Sequence, residues 1–324
     1  MKALGAVLTG LAAAGSLALG LACLALSVYA WGGRITPRLD ALANFAPLYV
    51  AGGLVAALVA LCVPMGWLRL ALALPGLAAA AGAGALIWPE LTRPMSPRAP
   101  PDAPHQLKLI QFNTWANNVD PEATGRWIAE QDADLVVIEE PRSAVVEAIL
   151  RNHAYYVTGA KASVKIFSRA RPLDTPYPWP RPQASAPLMR AQFAPEDGGY
   201  TVIGVHLTWP TQWWYHQMQN DDTAYVVHLS DPKRTILVGD FNSTPWSFSR
   251  RREDRRIGLE RRTRALFSWP ARNVAHAKWA MPFPFLPIDH VYAGSDWRTV
   301  SIKRGPRLGS DHYPVIITLA LMPS

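Results

Sequence analysis

The sequence predicts an α/β domain preceded by three membrane-spanning helices. Two observations carry this. The first 90 residues hold three long runs without a charged side chain, and from residue 107 onward short apolar strands alternate with helical stretches, many of the strands ending on polar side chains. With 324 residues, the chain has room for both parts. Its net charge of +8 favours acidic partners, and phosphate esters, nucleic acid and anionic lipid all qualify. Both cysteines, Cys23 and Cys62, fall in the apolar runs, which excludes a disulfide framework or a cysteine-type zinc site in the second half. Neither GxGxxG nor GxxxxGK[ST] occurs, which argues against a nucleotide-cofactor fold or a P-loop NTPase. No internal repeat is present.

The charge-free runs are 31 residues between Lys2 and Arg34, 28 between Asp40 and Arg69, and 20 between Arg69 and Glu90. A spanning helix needs about 20 apolar residues. A buried core helix or a cleaved signal peptide would account for one run, whereas three are hard to bury in a soluble domain. Gly10, Gly15, Gly20 and the pair Gly82 and Gly84 are candidates for close helix packing, although chance spacing at this composition accounts for them equally well. Three spans place the termini on opposite sides. Arg34, Arg38, Arg93 and Arg98 then lie on one side, Lys2 and Arg69 on the other, and this charge bias alone favours a cytoplasmic second half. Residues 91–106 contain five prolines and no apolar periodicity, as expected of a semi-rigid linker, and a second proline cluster lies at 172–187.

The α/β domain begins at 107. LKLIQFN alternates and ends on Asn113. Asp120–Pro121 supplies a cap followed by proline at the first helical position, predicting a helix over 121–131. ADLVVIEE is a buried strand ending on Glu139 and Glu140, and a helix over 142–152 follows. Strands are predicted at 163–168, 200–207 and 234–239, a helix at 213–229, and closing strands at 297–303 and 313–319. The central strand runs into TILVGDFNSTP, which delivers Asp240 and Asn242 directly after Gly239.

The strand ends carry a coherent chemistry. Glu140, Asp240, Asp289 and Asp311 are carboxylates, Asn113 and Asn242 are neutral oxygen donors, and His206 and His312 are imidazoles. Carboxylates with amide oxygens suit Mg²⁺, with Mn²⁺ as the alternative. Histidines beside them handle protons or bind an anionic oxygen. Together these form an apparatus for hydrolysing a phosphate ester. Any one of these residues alone is more often a turn residue, a cap or an inert surface side chain.

Over about 107–319 the chain resembles the endonuclease/exonuclease/phosphatase superfamily, the DNase-I-like fold. The matching fragments are QFNTW (Asn113), LVVIEE (Glu140), GVHL (His206), GDFN (Asp240, Asn242), PIDHV (Asp289) and GSDHYP (Asp311, His312). One departure is Glu139, where the family usually has glutamine; it should change the local charge and leave Glu140 in place. The resemblance implies a four-layer sandwich of two packed mixed sheets flanked by helices. It implies that Glu140 binds Mg²⁺, with Asn113 and Asp311 filling or ordering its shell. Asp240 would orient or deprotonate the attacking water, and Asn242 would hold that water or a phosphate oxygen. Asp289 would fix the tautomer of His312. His312 and His206 would stabilise charge on the phosphoryl oxygens, with Asn113, Asn242 and His206 facing the substrate.

The motifs do not separate DNA, RNA, inositol phosphates, sphingomyelin and other phosphate esters. Two further stretches bear on the substrate. WPTQWWY (209–215) is ordinary helix packing or an aromatic rim in the headgroup layer. RRREDRRIGLERRTR (250–264) carries eight arginines against three acids, which is either a solvated helix face or a phosphate contact to nucleic acid or anionic lipid. The membrane helices favour a lipid-linked phosphate or pyrophosphate first and a nucleic acid second. A non-catalytic binding protein on the same fold would have lost metal or histidine positions, and none is lost. In layout the chain also resembles bacterial membrane-tethered members of the superfamily, in which three helices precede a catalytic domain outside the cytoplasm. This implies a multi-pass inner-membrane protein with its catalytic domain on the extracytoplasmic side, opposite to the arginine bias.

Overall fold

The computed structural model describes residues 2–173 and 187–322, so most of the second proline cluster lies outside the described residues. The chain forms two units, one of residues 1–93 with 244–251, the other of residues 94–243 and 252–324.

The helical unit contains α1 (Lys2–Trp31), α2 (Pro37–Ala43), α3 (Ala46–Cys62) and α4 (Leu68–Thr92). Among the described residues, α1 and α4 are each long and apolar enough to cross a membrane, and α2 with α3, bent by 56°, pass as one further broken span. The helices are built with small residues inside and large ones outside. Ala56, Ala60, Ala73, Ala79 and Ala83 are buried, whereas Leu4, Leu8, Leu11, Leu58 and Leu74 are exposed, as in a lipid-facing bundle. The closest approach falls at Gly53 and Gly76. A Cβ on either would come within 2.5 Å of the other's carbonyl oxygen, and one on Gly20 would sit 3.0 Å from the Gly76 nitrogen. Gly10, Gly15 and Gly84 face open space, so of the expected packing glycines only Gly20 and Gly82 meet a neighbour.

The second unit is a four-layer α/β sandwich. Its strands are β1 (Gln106–Asn113), β2 (Leu135–Glu139), β3 (Tyr156–Thr158), β4 (Val164–Ser168), β5 (Leu188–Gln192), β6 (Thr201–His206), β7 (Thr235–Asp240), β8 (Glu260–Arg261), β9 (Asp289–Ala293), β10 (Trp297–Arg304) and β11 (Val315–Leu321). One mixed sheet has the order β10-β11-β1-β2-β4-β3, the other β5-β6-β7-β9-β8. Leu109, Val137, Ile166, Val202, Ile236, Val238 and Val291 form the buried layer shared by the two inner faces. The alternate residues Ile110, Phe112, Val136 and Ile138 turn outward under α5 (Pro121–Glu130) and α6 (Ser143–Asn152). On the other side Ile203, Val205 and Leu237 pack under α7 (Trp213–His228) and the end of α8 (Phe248–Ile257). Asp120 caps α5 by accepting from the Ala123 N–H at 3.0 Å, as its sequence signature predicts.

Part of the proline-rich linker lies along the sheet. Thr299 accepts a backbone hydrogen bond from Ala99, Pro97 accepts one from Thr299, and Ala99 and Ala103 are buried beside Ala320. The prolines hold the stretch extended, and its small side chains then fit flat against β10 and β11.

Candidate active site

Each sheet contains one central parallel pair joined by a helix, β1-α5-β2 in one and β6-α7-β7 in the other. Parallel neighbours end at the same edge. Asn113 thus pairs with Glu139, and His206 pairs with Asp240. β9 runs antiparallel to β7 and begins where β7 ends, which sets Asp289 opposite Asp240. Gly239 is required here: its φ is +152°, and a Cβ would lie 1.9 Å from the Val205 carbonyl oxygen. Glu140 and Asn242 follow their strands in the left-handed region, at φ of 50° and 48°, conformations that L residues adopt at some strain. The loop carrying Asp311 and His312 is tied to β1 by Ser310, whose hydroxyl donates to the Asn113 carbonyl at 2.7 Å.

All eight residues expected at the site come together except that Asp289 stands behind His312. The Asn113 amide donates to Glu140 Oε1 at 3.2 Å and to Asp240 Oδ2 at 3.0 Å, while its oxygen accepts from the Trp115 N–H. It therefore orders the two carboxylates and presents them with N–H groups. Asn242 donates to the Leu207 carbonyl at 2.7 Å and to Asp240 Oδ2 at 3.3 Å, and its own N–H donates to Asp240 Oδ1 at 2.8 Å. His206 Nε2 lies 3.4 Å from Glu140 and 3.9 Å from Asp240. His312 Nδ1 meets Asp289 Oδ2 at 2.9 Å and aims Nε2 at Asp240, 3.6 Å away.

Electrostatics separate the roles. Burial alone would discharge both members of the Asp289–His312 pair. The charge on His312, with hydrogen bonds from His312, Ser268 and Gln111, instead holds Asp289 below its ordinary value. Burial likewise works against the charge on His312, but Asp289, Asp240 and Asp311 hold it well above its ordinary value. His206 differs: burial lowers it despite the nearby Glu140 charge, which favours its neutral form. Burial pushes Asp240 up to about 8, against the pull of His312, as befits a proton-accepting group.

The donor set fits a hard divalent cation. Asp311 Oδ1 is buried without a hydrogen-bond partner, and Asp311 is raised by burial and, in part, by the nearby Glu140 charge. Two carboxylates that repel each other beside an orphaned oxygen are what such an ion would stabilise. The ligating atoms of Asp240, Asp289 and His312 also cluster within 4.8 Å, but the Asp289–His312 hydrogen bond engages that face of the imidazole.

Some of the site was not foreseen. Gln111 donates to Asp289 Oδ1 at 2.7 Å and to Glu139 Oε2 at 3.0 Å. Its signal was strand parity, since 109, 111 and 113 share one face. Trp269 Nε1 donates to Asp311 Oδ2 at 3.0 Å. Trp115, Trp209, Tyr215 and Trp269 line the cleft above the carboxylates, which has a volume of about 480 Å³. Glu139 is fully buried, and burial followed by the charges of Asp289 and Asp240 raises it well above its ordinary value. The arginine-rich stretch divides: three of its eight arginines are structural, whereas Arg252, Arg255 and Arg256 are exposed. Arg250, Arg261 and Arg262 are buried. Arg262 donates to the carbonyls of Ala293, Gly294 and Trp297. Arg261 pairs with Asp254, and Arg256 with Asp221 and Glu253.

Residues 110–312 match the sequence model of the Endonuclease/Exonuclease/phosphatase family. No curated protein matches the chain. Solved structures share the fold. An endonuclease/exonuclease/phosphatase from Beutenbergia cavernae is 17% identical with a TM-score of 0.50, covering 67% of this chain and 72% of its own. One from Bacteroides vulgatus is 14% identical with a TM-score of 0.52, covering 67% and 99%. D. rerio TDP2 complexed with a single-strand DNA product is 15% identical with a TM-score of 0.50, covering 66% and 98%.

Proposed function

Because the chain belongs to the endonuclease/exonuclease/phosphatase family, whose members are generally metal-dependent phosphoester hydrolases, we propose that it is a membrane-anchored hydrolase of a lipid-linked phosphate ester or pyrophosphate. The observation that carries the hydrolytic part is the convergence of Asp240, Asn242, His206 and His312 on the floor of one cleft, with Asp289 behind His312. Asp240, raised by burial, takes the proton of the attacking water. Asn242 and Asn113 hold that carboxylate in orientation through their amide N–H groups. His312, kept cationic by Asp289, faces the oxygens on which charge develops. His206 adds a neutral N–H donor. Glu140 and Asp311 would hold a divalent cation, Mg²⁺ in this proposal, which supplies Lewis-acid charge stabilisation when bound.

Two features support a lipid-linked substrate. The cleft is walled by aromatic side chains, which suit an apolar leaving group, and the same chain carries helices able to cross a membrane. A nucleic acid is the second reading. The arginine stretch supports it less than its composition suggests, because Arg250, Arg261 and Arg262 are engaged inside the fold and only Arg252, Arg255 and Arg256 are exposed. The catalytic domain is proposed to lie outside the cytoplasm.

The test compares three substrates with the full chain in detergent, each with Mg²⁺ and with EDTA: an isoprenoid pyrophosphate, plasmid DNA and an aryl phosphodiester. Metal-dependent phosphate release from the lipid, without nicking of DNA, is the expected outcome. Nicking at comparable efficiency would replace the lipid reading with a tethered nuclease.

A further inference from the structure

The segment that directly follows the GDFN motif is held by the helical unit. Thr244 donates to Asn44 Oδ1 through its N–H at 2.7 Å and its hydroxyl at 3.0 Å. Trp246, fully buried, donates its indole N–H to the Ala43 carbonyl at 2.9 Å. Asp40 then caps the start of α8: its carboxylate accepts from the Phe248 N–H at 2.7 Å, the Ser249 N–H at 2.6 Å and the Ser249 hydroxyl. A helix N-terminus leaves N–H groups unsatisfied and carries partial positive charge, so a buried carboxylate there is stabilised twice over. That carboxylate comes from α2, 208 residues away in the chain. The orientation of Asn44 is itself fixed, because its Nδ2 donates to the Ala41 carbonyl at 3.2 Å.

This anchor begins two residues after Asn242. The intervening Ser243 carbonyl is held by His290 Nε2 at 3.0 Å. The left-handed turn at Asn242 is thus restrained closely on its C-terminal side as well as by Asp240 and Leu207. A short strained turn keeps its shape only where its surroundings over-determine it. We infer that Asp40 and Asn44 are positioning residues for the Asp240–Asn242 turn, so that the helical unit takes part in the reaction beyond attaching the chain to a membrane. The kinetic half of this inference rests on the hydrolase reading above; the half concerning the turn does not.

The experiment uses the full chain in detergent and the variants Asn44→Ala, Asn44→Asp and Asp40→Asn. Asn44→Asp keeps the acceptor for Thr244, and Asp40→Asn keeps one acceptor of two while lowering the risk of misfolding. Amide hydrogen exchange is read at 240–249 against the amides of β1 and β2, and hydrolysis of a soluble aryl phosphodiester is followed in parallel. In Asn44→Ala, exchange should quicken roughly tenfold at 244–249 and also at Phe241 and Asn242, with β1 and β2 unchanged, since loss of a cap-type bond is felt locally. The value of kcat should fall about tenfold with KM held within about twofold, because the turn acts on the reacting groups and not on substrate capture. Asn44→Asp should restore both, and Asp40→Asn should lie between. Faster exchange confined to 244–249, or no change anywhere, would overturn the inference. Should the wild type fail to cleave the ester, the hydrolase reading loses support while exchange at Phe241 and Asn242 still decides this one.

Discussion

Asp289 and His312 are opposite charges buried together, and each is held ionised by the other. The charge on Asp289 raises His312, so removing it must lower His312. In Asp289→Asn the alkaline limb of the kcat profile should therefore move to lower pH, and kcat should fall by about 10²–10⁴, the usual scale for a displaced or mis-tautomerised histidine. An unchanged alkaline limb would mean that His312 does not act as a cation. Glu139 makes the opposite case. Burial, with the charges of Asp289 and Asp240 beside it, pushes its carboxyl well above the ordinary value, toward the neutral form that a glutamine side chain matches in shape. Glu139→Gln should leave kcat/KM within about twofold, whereas Glu139→Ala should lower it about tenfold by leaving one bond of Gln111 unmade. The motif residues were legible because each is a polar side chain set at or beside the end of an apolar strand or in the short GSDHYP signature before the last one. Gln111 and Trp269 were not, because they act through Asp289 and Asp311; strand parity is the one hint for Gln111, and Trp269 carries none.

At the scale of elements, the two parallel pairs place the catalytic side chains, and their apolar runs were plain in the sequence. The edge strands β3, β5 and β8 were not, being two to five residues long with weak alternation. The arginine-rich stretch shows why charge alone misleads. Residues 250–264 have the composition of a phosphate-binding surface, yet Arg262 points inward and donates to three carbonyls at the turn between β9 and β10. Arg262→Ala should cost about 3 kcal/mol of stability, read as a lowered denaturation midpoint of the detergent-solubilised chain. Gly239→Ala should be worse tolerated than any neighbouring substitution, since the Val205 carbonyl occupies the space a Cβ needs.

At the scale of the whole molecule, the three charge-free runs correctly announced apolar helices, and the proline-rich stretch after them lies along β10 and β11, a placement that its composition does not encode. Nor could the sequence indicate that residues 244–251 belong with the helices, because a cap supplied from 208 residues away leaves no local pattern. The side of the membrane follows from neither feature. An alkaline-phosphatase fusion after Ser324 should be active if the catalytic domain is extracytoplasmic, and a fluorescent cytosolic-type fusion would reverse that placement. The central claim is that this cleft hydrolyses phosphate esters with a divalent ion. Its most direct test is product release from an aryl phosphodiester by the full chain, wild type beside Asp240→Ala, with Mg²⁺ and with EDTA. The predicted result is release by the wild type that EDTA abolishes, reduced at least about 10³-fold in Asp240→Ala. Release at the wild-type rate by Asp240→Ala, or release indifferent to EDTA, would contradict it.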